Sequence, residues 1–247
     1  MEDDRPKTAA FLLIGDEILS GKVEEANLVV LARTFRQLGI ALRRVVVVSD
    51  DVDVIAQEVR ALSSNHDYLI TSGGVGPTHD DVTVDAVAMA FGVAVRQDTG
   101  LVAMLEEHYK ERCTDGHRVM ARVPEGASLE TTEGVRWPTI RIGNTWLFPG
   151  IPEVFRLKLP VLIAKLGGGR AWVSYAVYTN MDEGDLKPLL DQVVARFPEV
   201  NVGSYPKWSD PTYKTKLTFD GRSAPRVAAA RADFVALLPE GEPLWTE

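Results

Sequence analysis

The sequence predicts an α/β fold: a three-layer α/β/α domain with a mostly parallel sheet, followed by a small C-terminal α+β domain. Three observations carry that reading. Strand–loop–helix units recur three times in about 85 residues from Thr8, the rhythm of parallel strands with crossover helices. The run Val45–Val48 reads as a strand covered on both faces, not the alternating face of an antiparallel sandwich. Gly167, Gly168 and Gly169 then interrupt the pattern, and a second rhythm begins.

Each element follows from local pattern. Thr8–Ile14 is a compact apolar run ending at Gly15, a buried strand. Within 25–38, Leu28, Leu31, Phe35 and Leu38 recur at helical spacing, and Gly39 offers a stop. Ala41–Ser49 is the second strand. Asp50, Asp51 and Asp53 precede the helical pattern of 54–62 as cap and first-turn acids. Tyr68–Thr71 is the third strand, and 83–91 is a helix closed by Gly92. Beyond residue 98 the pattern weakens: 101–112 is helical, 118–125 a connection, 141–149 a single strand, and 153–165 a short helix broken near Pro160. The boundary falls in the triple glycine, giving domains 1–167 and 168–247. In the second, a strand (171–179), a helix (185–197), two strands (200–205 and 213–219) and a helix (224–238) suggest a small α+β sandwich.

Composition bounds the function. The chain has 247 residues, 45% apolar and 25% charged, enough to build a core. Lys and Arg total 27 against 35 Asp and Glu, a net charge of −8, which argues against nonspecific nucleic-acid binding but not against a small phosphorylated ligand. A lone cysteine, Cys113, excludes an intrachain disulfide and a cysteine zinc cluster. The apolar stretch 9–14 is too short for a signal core or a membrane span, so a cytoplasmic location without a membrane partner is expected.

The strongest chemical signal is Ser72-Gly73-Gly74-Val75-Gly76-Pro77-Thr78-His79-Asp80-Asp81-Val82-Thr83, between a strand and a helix. Glycines there let backbone amides converge on anionic oxygens. Thr78 or Thr83 could add a hydroxyl. Asp80 and Asp81 would repel a bare phosphate, so the pattern suits a divalent cation between acid and phosphate. The plainer alternative is a glycine turn followed by acidic helix capping. His79 could be a base, a metal ligand, a phosphate contact or a solvent-facing residue; His66, His108 and His117 read as surface residues without local partners. The lysine of a phosphate-clamping loop is missing, as is a first-strand dinucleotide fingerprint. A second candidate is Gly15-Asp16-Glu17-Ile18-Leu19-Ser20-Gly21 after the first strand. In a parallel sheet its loop can open on the same edge, bringing Glu17 or Asp16 toward Asp81 in a hard oxygen site. Asn27 is either a helix cap or a ligand-orienting group. Phe148-Pro149-Gly150-Ile151-Pro152-Glu153 is a stiff turn or a ligand wall. Late in the chain, Tyr205, Lys207, Trp208, Tyr213, Lys214 and Lys216 mix rings with cations, either a base-stacking element or a packed hairpin.

These three motifs, in this order, resemble the molybdopterin-binding-like domain family, including the amino-terminal part of CinA-type proteins and the domain fused to eukaryotic FAD synthase. The segment 204–208 resembles the FAD-synthase branch in particular. The resemblance covers about residues 8–238. It implies a pocket for a pterin or nucleotide and, in the CinA-type and FAD-synthase branches, metal-dependent hydrolysis of a nucleotide diphosphate such as FAD or ADP-ribose, releasing AMP. Carried over by position, Asp81 and Glu17 would hold a divalent ion (Mg, Mn or Co), with Asp81, Asp80 and His79 as catalytic candidates. Gly15, Asn27, Ser72, Gly73, Gly74, Gly76, Thr78, Thr83, Gly150, Pro152, Tyr205 and Lys207 would line the substrate. A homo-oligomer is also implied. No second catalytic unit follows residue 247, so FAD synthesis and amide hydrolysis are not expected of this chain. The alternative is a non-catalytic molybdopterin- or nucleotide-binding module.

Overall fold

The computed structural model describes residues 5–167, 169–209 and 211–247; Gly168, where the sequence places the start of the second domain, lies outside them. The chain divides into two compact units, Met1–Gly169 and Arg170–Glu247.

The first unit runs β1 (Thr8–Ile14), α1 (Asp16–Leu19), α2 (Asn27–Gln37), β2 (Ala41–Val48), α3 (Val52–Asn65), β3 (Tyr68–Ser72), α4 (Thr83–Phe91), β4 (Val95–Gln97), α5 (Thr99–Tyr109), α6 (Asp115–Val119), β5 (Arg122–Pro124), β6 (Ser128–Glu130), β7 (Thr139–Ile142), β8 (Thr145–Phe148) and α7 (Pro152–Leu166). Six strands form one sheet in the order β2-β1-β3-β8-β7-β6. The pairs among β2, β1, β3 and β8 are parallel, and β7 and β6 extend the sheet antiparallel. β4 and β5 form a separate antiparallel ladder.

Strand β1 shows why the unit has three layers. Its side chains alternate between two cores, as the two-residue period of a strand requires. Ala10, Leu12 and Ile14 pack with Ile55, Val59 and Leu62 of α3 and with Val84 and Val87 of α4. Ala9, Phe11 and Leu13 pack with Leu31 and Phe35 of α2 and with Phe155, Leu159 and Leu162 of α7. Helices therefore cover both faces of β1, and its apolar side chains from Ala9 to Ile14 are buried on each side.

Three expectations are corrected. The valine run does not make a doubly covered strand: β2 is the sheet edge, and Val45 and Val47 remain 38% and 37% exposed. The run reported β-propensity, not depth. The stretch 141–149 is not one strand but parts of two, β7 and β8, joined at Gly143 (φ 55°) and Asn144 in a tight hairpin. Helix α7 is not broken at Pro160. Pro160 and Arg156 lie on its exposed side, where water can take the carbonyl that proline leaves without a donor.

The second unit runs β9 (Val173–Thr179), α8 (Glu183–Arg196), β10 (Asn201–Pro206), β11 (Thr215–Gly221), α9 (Ala224–Leu237) and β12 (Trp245–Thr246). This βαββαβ order builds an antiparallel sheet, β10-β11-β9-β12. Its core joins Val177, Leu217 and Phe219 from the strands to Leu186, Val193, Val227 and Phe234 from the helices. The short edge strand β12 carries no sequence signal strong enough to predict it.

Candidate functional site

Because β1, β3 and β8 are parallel, the loops that leave them open on one edge of the first unit's sheet. The chain passes from β1 to β2 on one side, while β3 lies on the other. The gap between β1 and β3 is thus a topological switch point, where loops diverge and leave a crevice.

Side chains lock these loops together. Asn27, at the start of α2 and 2% exposed, donates from Nδ2 to Ser72 Oγ (3.1 Å) and to the Gly150 carbonyl (2.8 Å). Ser72 Oγ donates in turn to the Pro149 carbonyl at 3.2 Å, and the Gly73 amide donates to the Phe148 carbonyl at 3.1 Å. Gly73 has φ 109°, and a Cβ there would run into the Ile14 carbonyl, so only glycine brings the β3 loop this close to β1. Thr83 is fully buried and donates its hydroxyl to the Gly73 carbonyl at 2.9 Å.

Asp81 organises the rest of the glycine loop. Its Oδ1 accepts from the Gly76 amide (2.7 Å), and its Oδ2 accepts from the Thr78 amide (2.8 Å) and the Thr78 hydroxyl. This is an acid closing a turn on its own backbone. The Glu17 carboxylate folds back over Gly15, into the space a Cβ would take. Glu17 and Asp81 both face one cleft of about 1160 Å³. Gly73, Gly74, Val75, Gly76, Gly150 and Pro152 line the same cleft. The lining also includes apolar and aromatic side chains, Met104, Tyr109, Met120 and Trp137, and the cations Arg122 and Arg136.

The electrostatics are uneven. Asp50 lies beyond β2 and accepts the Asp16 amide at 2.9 Å. Partial burial raises its pKa, the amide opposes that, and repulsion from Glu17, Asp16 and Asp80 adds to the rise. The strand-end side of the site is therefore crowded with acids. Arg122 is held by Asp85, with the longer of two bonds at 3.1 Å. Lys158, 6% exposed, lies in the cleft wall and donates to the carbonyls of Trp137 (2.9 Å) and Pro138 (2.7 Å) and more weakly to Thr139 Oγ1 (3.4 Å). Burial pushes its pKa down to about 8.

Comparison with known proteins agrees with this geometry. Residues 10–171 match the family model described as "Probable molybdopterin binding domain", and residues 171–246 match "FAD synthase, middle domain". The chain belongs to the molybdopterin-binding-domain family. It is 33% identical to a "Probable FAD synthase" of Caenorhabditis briggsae over 96% of this chain and 51% of that protein, so it spans about half the length of that relative. It is 30% identical to an Archaeoglobus fulgidus protein over 91% of this chain and 95% of that one. A crystal structure of CinA from Thermoplasma acidophilum, described as of unknown function, superposes with a TM-score of 0.60 at 28% identity, covering 65% of this chain and 98% of that one.

Within this molybdopterin-binding-type domain, the residues expected from the sequence fall into four groups. Glu17, Asp81, Gly73, Gly74, Gly76, Gly150 and Pro152 line the cleft. Gly15, Asn27, Ser72, Thr78 and Thr83 support it from behind. The hydroxyls of Thr78 and Thr83 and the amides of Gly73 and Gly76 are engaged within the protein, so these groups do not face a phosphate. His79 and Asp80 stand at the exposed rim, with the His79 ring 99% exposed and 3.9 Å from the Asp80 carboxylate. Thr78 and the Asp80 backbone lower the Asp80 pKa. Tyr205 and Lys207 belong to the second unit, where they line a different, smaller cavity.

Among the described residues, no three His, Cys, Asp or Glu side chains group to cage a metal. An all-protein metal site does not fit. Glu17 and Asp81 both line the cleft, and both oxygens of Asp81 already accept hydrogen bonds from the loop.

Several cleft residues escaped the sequence reading. Lys158 had a readable signal: Phe155, Lys158, Leu159 and Leu162 share a helical stripe, so a lysine falls among buried positions. Of the three acids expected before α3, Asp51 is the cap, accepting from the Asp53 and Val54 amides, and Asp53 lies in the first turn, while Asp50 instead accepts the Asp16 amide. His108 lines the cleft edge-on to Tyr109, and His117 closes a capping box with Thr114, so neither lacks a partner. No helix among the described residues is long and apolar enough to cross a membrane.

Proposed function

We propose that the first unit is a binding module for a phosphorylated ring compound, a pterin or an adenine- or flavin-containing nucleotide. The supporting observation is that one cleft at the switch point is lined both by loop backbone and carboxylates and by Tyr109, Trp137, Met104 and Met120. Convergent polar groups beside an apolar wall suit a ligand with both a ring and a charged chain. Gly74 and Val75 line the cleft, and Arg136 offers a cation to the phosphate. A cytoplasmic setting and a homo-oligomer complete this proposal; sedimentation reads the latter directly.

A second reading, hydrolysis of a nucleotide diphosphate of the FAD or ADP-ribose type, is favoured by one observation: Glu17 and Asp81 face the same cleft. In that reading the two carboxylates hold a divalent ion that arrives with the substrate, and the ion supplies charge neutralisation at phosphoryl oxygen. FAD would yield FMN and AMP.

One experiment tests both. The full chain is titrated calorimetrically with FAD, ADP-ribose and a reduced-pterin phosphate, and the same mixtures with Mg²⁺, Mn²⁺ or Co²⁺ are chromatographed for AMP. Binding predicts saturation near one ligand per cleft, weakened about tenfold by Trp137→Ala. AMP that disappears with Asp81→Asn promotes the second reading. No saturable binding by any of these ligands contradicts both.

A further inference from the structure

The second unit has a face that the first unit's cleft does not explain. On β9 and β11, Val177, Leu217 and Phe219 point into the core beneath α8 and α9. The alternating residues Tyr178, Lys216 and Thr218 therefore point to the opposite face, which no helix of this unit covers. That face carries an open cavity of about 290 Å³ lined by Tyr205, Pro206, Lys207, Tyr213, Lys216 and Thr218.

Three features give the cavity a chemistry. First, the Tyr205 ring lies back over Gly203: a Cβ there would sit 2.9 Å from ring Cε2 and 3.1 Å from Thr218 Oγ1. Glycine at 203 thus lets a ring that is 55% exposed lie along the sheet as a platform. Second, two ammonium groups are held over neighbouring rings, Lys207 Nζ 4.9 Å from the Tyr213 centroid and Lys216 Nζ 5.2 Å from that of Tyr178. Third, the floor is rigid: Tyr178 stacks on Trp245 at 4.4 Å and meets Tyr213 edge-on at 5.0 Å. Among the described residues, Asp220 and Glu247 lie on this side: Asp220 accepts the Thr218 hydroxyl at 2.9 Å, and Glu247 accepts the Tyr178 hydroxyl at 2.8 Å while its charge acts on Lys216.

We propose that this sheet face is a second ligand site, one that takes a mononucleotide, with its ring on Tyr205 and its phosphate between Lys207 and Lys216. Stacking on an aromatic platform is how antiparallel sheets hold unpaired bases. A polymer is disfavoured because two lysines match one phosphate, while the chain as a whole carries a charge of −8. The proposal stands on the second unit alone and does not rest on the function proposed for the cleft.

The test titrates the full chain with AMP, FMN, inorganic phosphate and a short oligothymidylate, following heat and tyrosine fluorescence. A binding event for AMP or FMN is expected that weakens about tenfold or more in Tyr205→Ala and in Lys216→Gln, persists in Tyr205→Phe, and survives Trp137→Ala in the cleft. Unchanged thermal midpoints show that the variants fold. Any of four results overturns the proposal: no mononucleotide binding up to millimolar concentration; binding indifferent to Tyr205→Ala and Lys216→Gln; inorganic phosphate binding as tightly as AMP; or the oligonucleotide binding more tightly than AMP.

Discussion

Lys158 is the residue whose chemistry depends most on its surroundings. Its ammonium is buried, yet the Trp137 and Pro138 carbonyls hold it in place, so it anchors one wall of the cleft. Burial lowers its pKa to about 8, below the ordinary lysine range. The sign follows: below about pH 8 both folded and unfolded chains carry the proton, and the penalty of burying charge is constant. Between about 8 and 10.5 the folded amine is neutral while the unfolded one is still charged, so stability rises with pH. Urea titrations of wild type and Lys158→Met should therefore diverge over that window, wild type gaining up to about 3 kcal/mol relative to the variant. A pH-independent difference would show that the amine stays protonated. Asp81 gives a second prediction at this scale. Asp81→Ala removes the acceptor for two amides and a hydroxyl, and unfolding should report a loss of about 1–3 kcal/mol before any ligand is added. A variant as stable as wild type would mean that the loop holds its shape without that acid. The glycine-and-acid pattern marked this loop in the sequence, but it did not reveal that the acid serves the turn as well as the cleft. That depends on which oxygen meets which amide, and spacing does not encode it.

At the scale of elements, the first strands are pinned at both ends. At their C-terminal ends, the Asn27–Ser72–Gly150 bonds tie the loops. At their N-terminal ends, Asp67 accepts the Thr8 amide (2.8 Å), the Thr8 hydroxyl (2.9 Å) and the Lys7 ammonium (3.0 Å). Burial alone would raise the Asp67 pKa, but the Thr8 and Lys7 bonds outweigh it and lower the value to about 2. The stabilisation is thus complete above about pH 4 and fades as pH falls toward 2. Asp67→Asn should cost at most about 2 kcal/mol at pH 7, and the gap should narrow steadily below pH 4 in denaturant titrations. An equal gap at pH 7 and pH 3 would refute the assignment. Elements were legible where pattern and burial agree: 83–91 was read as a helix with the bounds of α4. They were misread where burial is decided by distant neighbours. Nothing within Val45–Val48 says that β2 has a partner on one side only, and nothing near Pro160 says which way its helix face turns. Gly143-Asn144 is different, because a two-residue hairpin signal was present in the sequence.

For the whole molecule, the two units have separate cores, one pair of layers about the parallel sheet and one beneath the antiparallel sheet. A fragment spanning 170–247 contains all of the second core and should unfold cooperatively by circular dichroism in urea. A gradual, baseline-like slope would show that it needs the rest of the chain. The triple glycine and the change of rhythm after it mark a local break in the sequence pattern, and the two units divide between Gly169 and Arg170. How the loops after β1, β3 and β8 converge was readable only through the parallel topology, and the aromatic lining of the cleft was not, since Tyr109, Met120 and Trp137 come from segments with weak periodicity. The central claim is that these loops and that aromatic wall form one ligand site. Hydrogen–deuterium exchange of the full chain with and without saturating FAD tests it most directly. Slowed exchange in peptides covering both 72–84 and 104–122, together with 136–152, is the predicted result; protection absent from 72–84, or no change anywhere at saturation, would contradict it.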